Sequence, residues 1–178
     1  MKPVTLPPLP PIGLRPVRIL FVCLGNICRS PAAEGILRAI IEENADSLNW
    51  EIDSAGLYGG HAGDLPDHRM RIHARRRGLQ LTHRSRKVTA ADLDYFDIIL
   101  GMDHSNLSRL RDLSPSIETD AKILPMISFV NTVATRYDHI PDPYYDGDEG
   151  FELVLDLLSD GCHHLYNTIT QARTLQQQ

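Results

Sequence analysis

The chain has 178 residues, a net charge of −5 and a hydrophobic fraction of 42%. That is about one domain's length, enough to bury a core unaided. The acidic balance argues against a protein that neutralises phosphate backbones, so no nucleic-acid partner is expected. Three cysteines are too few for a disulfide scaffold. No apolar run approaches the roughly 20 residues of a membrane span, so no membrane association is expected, and a cytoplasmic location suits free thiols.

Residues 1–16 hold six of the 12 prolines. They read as an extended, flexible arm rather than a leader peptide, because proline breaks the helical apolar core a leader needs. Residues 17–173 are expected to form a single domain and residues 174–178 a frayed polar tail. The apolar run over residues 17–23 predicts a buried strand. Residues 30–44 predict a helix, with Ser30 as cap, Pro31 in the first turn and Ile36, Leu37, Ile40 and Ile41 on one face. A second strand is expected over residues 50–54, and a glycine-rich loop over 55–66. A helix over 67–77 should stop at Gly78, and a short capped helix should cover 89–96. A strand over 97–102, a helix over 105–113 and a short strand over 122–124 follow. Phe151, Val154, Leu155, Leu158, Cys162, Leu165 and Ile169 form the stripe of a long last helix. This alternation predicts an α/β fold, a small parallel sheet covered by helices on both faces.

The chemistry concentrates where the first strand ends, at Cys23-Leu24-Gly25-Asn26-Ile27-Cys28-Arg29-Ser30. A cysteine there stands at the carboxyl end of a strand, the edge at which open α/β sheets bind ligands. Gly25 and Asn26 tolerate the left-handed conformation, so the loop can curl its N–H groups toward one point. The helix N-terminus adds partial positive charge, and Arg29 offers a planar fork for two phosphate oxygens. These surroundings favour thiolate over thiol at Cys23. The loop is a phosphate-sized cradle with a nucleophile at its base.

A Cys and an Arg separated by five residues, between a strand and a Ser-Pro helix start, resemble the low-molecular-weight protein tyrosine phosphatase family. The resemblance extends through Asp53-Ser54-Ala55-Gly56, Phe96-Asp97-Ile98-Ile99-Leu100 with Met102-Asp103, and Asp142-Pro143-Tyr144-Tyr145. It implies four parallel strands, no cofactor or metal, and hydrolysis of phosphotyrosine in protein substrates through a phosphocysteine intermediate, releasing inorganic phosphate. It also implies Cys23 as nucleophile, Arg29 as phosphate clamp and Asp142 as general acid. Substrate contacts are implied for Leu24, Gly25, Asn26, Ile27, Cys28, Tyr144 and Tyr145. Asn26 is implied to be held by Ser30, Ser54 and His83. Cys28 is read either as a partner for Cys23 under oxidants or as an inert side chain under the loop.

The family often carries an aromatic residue on the pocket rim where this chain has Gly60; either the rim is more open here or Tyr58 replaces the wall. Residues 69–87 hold eight Lys or Arg and no acid, whereas residues 138–160 hold eight Asp or Glu and no Lys or Arg. They read as two solvated faces attracting each other, or as a basic rim for acidic phosphopeptides. The histidines form no recognisable metal set. Rival readings are a protein-arginine phosphatase, which resembles a loop with Thr in place of Ile27, an arsenate reductase, which needs further cysteines beyond the buried-stripe Cys162, and a non-catalytic phosphotyrosine-binding module.

Overall fold

A computed structural model describes residues 3–131 and 136–178. Its centre is a four-stranded parallel sheet of β1 (Val17–Cys23), β2 (Trp50–Gly56), β3 (Ile98–Gly101) and β4 (Ile123–Pro125), in spatial order β2-β1-β3-β4. β1 pairs with β2 on one side, Cys23 opposite Gly56, and with β3 on the other. The chain therefore winds outward in both directions from β1. The crevice between β1 and β3 at their carboxyl ends is where such sheets leave room for a ligand, and Cys23 ends there.

Side chains alternate across β1. Val17, Ile19, Phe21 and Cys23 join one apolar cluster, and Leu20 and Val22 the other. The first cluster is roofed by α1 (Arg29–Glu43) and α6 (Asp148–Leu175). The second is closed by α3 (Ala90–Tyr95) and α4 (His104–Leu113), through Leu93, Leu107 and Leu110. Burial on both faces is why β1 reads as an unbroken apolar run from Ile19 to Cys23, after the half-exposed Arg18.

Element ends follow local capping. Between these elements, α2 (His68–Arg76) starts on the Asp67 carboxylate, which accepts from Arg69 N–H, and it ends before Gly78 at φ +80°. α3 begins with a capping box between Thr89 and Asp92, and α4 on the Asp103 carboxylate. Ser30 does not cap α1, contrary to the sequence expectation. The helix starts one residue earlier, its cap position is Cys28, and the Ser30 hydroxyl is engaged by Cys23 and Asn26 instead. The second strand runs two residues beyond the expected 50–54, because Gly56 still pairs with Cys23. The last helix continues to Leu175, past the expected fray at residue 174. A one-turn helix, α5 (Ile117–Asp120), was not expected; the Ser116 hydroxyl caps it by accepting from Thr119 N–H.

The described part of the arm, residues 3–16, is without helix or strand, and Pro7, Leu9 and Pro10 are buried. Arg173 on α6 is only 2% exposed and donates to the carbonyls of Pro10, Asn49 and Arg15. Arg15 in turn grips Asp97 with both terminal nitrogens, at 2.8 and 2.6 Å. The segment thus lies along the C-terminal helix rather than free of it.

Candidate active site

The loop after β1 is tied down by its carbonyls. Leu57 N–H donates to Cys23 O, Tyr58 N–H to Leu24 O and Asp67 N–H to Ile27 O, while the Ser85 hydroxyl donates to Gly25 O. With its carbonyls engaged by the surrounding segments, the loop leaves its donors uncommitted. The N–H groups of residues 25–28 have no acceptor among the described residues. Unpaired N–H groups converging beside a helix N-terminus form an anion cradle.

Asn26 makes the curl possible. It has φ 56°, in the left-handed region that Asn tolerates better than most residues. Its side chain is saturated. Nδ2 donates to Ser30 Oγ at 2.8 Å and Ser54 Oγ at 3.0 Å, and Oδ1 accepts from Arg86 N–H and faces His83 Nε2 at 2.9 Å. The sheet leaves little slack there. A Cβ on Gly56 would come within 2.9 Å of Leu24 O and 3.0 Å of Asn26 N.

Behind this network stands Glu34, buried on α1. It accepts from Ser54 Oγ at 3.0 Å and lies 3.1 Å from His83 Nδ1. Burial pushes the Glu34 carboxyl up, but His83, Arg38 and Ser54 outweigh it and hold it below its ordinary value. Asp53 lies 3.6 Å from the same ring nitrogen and pairs with Arg86 at 2.9 Å. Among the described residues, Glu34, Asp53 and His83 are those whose ligand atoms could converge on a cation, all within 4.8 Å. Arg38 and Arg86 already bring positive charge to that cluster.

Cys23 Sγ lies 3.0 Å from Ser30 Oγ. Arg29 is 2% exposed; its Nη1 donates to Asp103 at 2.7 Å and to Ile140 O at 2.9 Å, and its Nη2 reaches Asp142 at 3.4 Å. Burial works against the Arg29 charge, but Cys23, Asp103 and Asp142 outweigh it and raise the guanidinium above its usual value. Asp103 is held low in return: burial opposes its charge, but the Arg29 and Asn106 hydrogen bonds prevail. Burial, with Asp67 and Cys23 close by, pushes the Cys28 thiol well up, so it does not compete as a thiolate.

One cavity of about 240 Å³ gathers these groups, lined by Cys23, Cys28, Arg29 and Asp142 with Tyr58 and Tyr144 on its walls. Leu24, Gly25, Ile27 and Tyr145 also reach it, whereas Asn26, Ser30, Ser54 and His83 stand behind the loop. Tyr58 takes up the space above Gly60: a Cβ there would overlap its ring at 2.1 Å.

Four residues near the site receive no individual role from sequence reasoning, Arg69 entering it only as part of the basic segment. These are Glu34, His61 on the rim edge-on to Tyr58, Asp103 beneath Arg29, and Arg69. Arg69 binds Asp67 and the Tyr144 carbonyl, its guanidinium 4.8 Å from the Phe151 ring, and so joins the start of α2 to the segment carrying Asp142. Asp103 had a signal, since it lies inside a matched motif; the partners of Arg69 are too distant in sequence to leave one.

A thiol and a guanidinium on one anion-cradling loop, with a carboxyl across the cavity, define an α/β protein of the Cys-x5-Arg phosphate-cradle class. Residues 18–175 match the family described as low molecular weight phosphotyrosine protein phosphatase. The human low molecular weight phosphotyrosine protein phosphatase is 39% identical over 136 residues, 76% of this chain and 85% of its own. The crystal structure of a protein tyrosine phosphatase from Entamoeba histolytica is similar at a TM-score of 0.84 and 39% identity, over 88% of this chain and 99% of the other. That of DARP, a Drosophila arginine phosphatase, is similar at a TM-score of 0.78 and 32% identity, over 85% and 96%. The chain belongs to the low molecular weight phosphotyrosine protein phosphatase family.

Proposed function

We propose that the protein hydrolyses phosphotyrosine in protein substrates and releases inorganic phosphate. The observation that carries this reading is the convergence of Cys23, Arg29 and Asp142 on one cavity walled by tyrosines. The phosphoryl group enters the cradle, where the uncommitted N–H groups and Arg29 stabilise its equatorial oxygens. Cys23 sulfur attacks phosphorus in line as the P–O bond to the phenol breaks. Asp142 gives its proton to the leaving oxygen, then takes one from the water that displaces the sulfur. Ser30 Oγ, 3.0 Å from Sγ, stabilises that departing thiolate. Tyr58 and Tyr144 flank the substrate ring. Three free cysteines fit a reducing cytoplasm.

The likeness to an arginine phosphatase supports a second reading, and Ile27 on the cavity wall favours the first. A panel of phosphotyrosine, phosphoserine and phosphoarginine peptides, assayed with a chelator present, tests both. Turnover confined to phosphotyrosine is expected. Preferred turnover of phosphoarginine would replace the reading, and no turnover would favour a binding module.

A further inference from the structure

The eight basic residues of segment 69–87 do not form one uniform face. Arg69, His73 and Arg77 follow at intervals of four on α2 and turn toward α6. Arg69 binds Asp67 and Tyr144 O and lies over the Phe151 ring of α6, His73 meets Asp148 and Glu152, and Arg77 meets Glu152 and Asp156. Arg86 is held by Asp53 and Asp92. Arg71 and Arg75 point elsewhere. They too are four apart on α2, and among the described residues neither meets a carboxylate; Arg71 Nε donates to Pro66 O at 2.9 Å. Like charges at that spacing repel, so the pair is unfavourable for the helix by itself.

Both arginines line a separate hollow of about 160 Å³. Gly78, at φ +80°, turns the chain back beneath α2, so Leu79 and Leu81 with Leu65 supply an apolar floor, and Thr82 a hydroxyl. A concave site with two uncompensated guanidinium groups and a greasy floor suits a carboxylate side chain with an apolar neighbour. The hollow and the candidate active site are linked by a short stretch of chain. His61 lines one cavity and Leu65 the other. Four residues of chain span at most about 14 Å, and an extended peptide crosses that distance in about four residues.

We propose that the Arg71–Arg75 hollow is a subsite for the acidic flank of a phosphoprotein substrate, receiving a Glu or Asp about four residues from the phosphorylated side chain. The proposal rests on the phosphatase reading and deepens it. It makes the charge of segment 69–87 a specificity device on one face of α2, while the other face is structural.

The test compares two phosphotyrosine peptides that differ only by Glu or Gln at the third to fifth positions on either side of the phosphotyrosine. Wild type should favour the acidic peptide in kcat/KM by about five- to tenfold at low salt, with the advantage shrinking as salt rises. Arg71→Gln with Arg75→Gln should remove that advantage while leaving the neutral peptide and p-nitrophenyl phosphate unchanged. Arg75→Glu should favour a Lys-flanked peptide. Fluorescence anisotropy of the same peptides on Cys23→Ser protein reads the subsite without turnover, so failure of p-nitrophenyl phosphate hydrolysis would sink the phosphatase reading separately. No acidic preference in wild type, a preference that survives the double substitution, or equal losses on both peptides would each overturn the subsite.

Discussion

Asp142 is fixed between Pro141 and Pro143, and its Oδ1 accepts from Tyr144 N–H at 3.1 Å. Two prolines and that turn aim the carboxyl across the cavity at Arg29. Tyrosine, with a parent pKa near 10, leaves poorly without a proton. Asp142→Asn should therefore reduce kcat/KM on phosphotyrosine peptides by about 10²–10⁴-fold, and markedly less on p-nitrophenyl phosphate, whose leaving group needs less help. Equal losses on both would place the donor elsewhere. Arg29→Lys should cost about 10²-fold or more in kcat/KM. A point charge cannot span the two phosphoryl oxygens and also hold Asp103 and Ile140 O; activity within twofold of wild type would refute the clamp.

Among the elements, the join of β1, the loop and α1 was readable because three local signals coincide there: a β-branched run, residues that tolerate positive φ, and a helix start. What supports that join was less readable. Gly56 belongs to a matched motif, but only the pairing of β2 with β1 explains it, since a Cβ would press on Leu24 O and the Asn26 backbone. Gly56→Ala should distort the loop, lowering kcat/KM at least tenfold and stability by about 1–3 kcal/mol, the usual cost of overpacking. Urea unfolding with parallel assays would show it, and an unchanged kcat/KM would mean the loop is not held as described. α5 left no signal because four residues have no periodicity. The arm's attachment left none because Arg173 and Pro10 are 163 residues apart, and a buried Arg on carbonyls has no sequence signature. The Ser30 error has a clear cause: a hydroxyl before proline suits a cap, but a thiol 3.0 Å away and the Asn26 amide claim it.

At the scale of the molecule, carboxylates hold the site and its surroundings together. Glu34, Asp92 and Asp103 each lie below their ordinary values because hydrogen bonds and nearby positive charge outweigh burial. A depressed folded-state value adds stability that is present above the unfolded pKa, about 4 for such groups, and lost as pH falls through the folded value. Tm should hold from neutral pH down to about 5 and fall steeply below about 4, and Glu34→Gln should shrink that fall. A Tm that rose on acidification would contradict the assignment. The acidic and basic segments also meet, through Arg77 with Glu152 and Asp156, so the two faces anticipated from charge alone in part bind α2 to α6.

The account turns on a covalent step at Cys23. Rapid acid quench of wild type during turnover of a phosphotyrosine peptide, followed by mass spectrometry of the fragment containing Cys23, tests it most directly. The structure predicts phosphate on Cys23 sulfur, formed no slower than the steady-state rate, and neither label nor turnover in Cys23→Ser. Turnover by Cys23→Ser at an ordinary rate, or phosphate captured on another side chain, would contradict it.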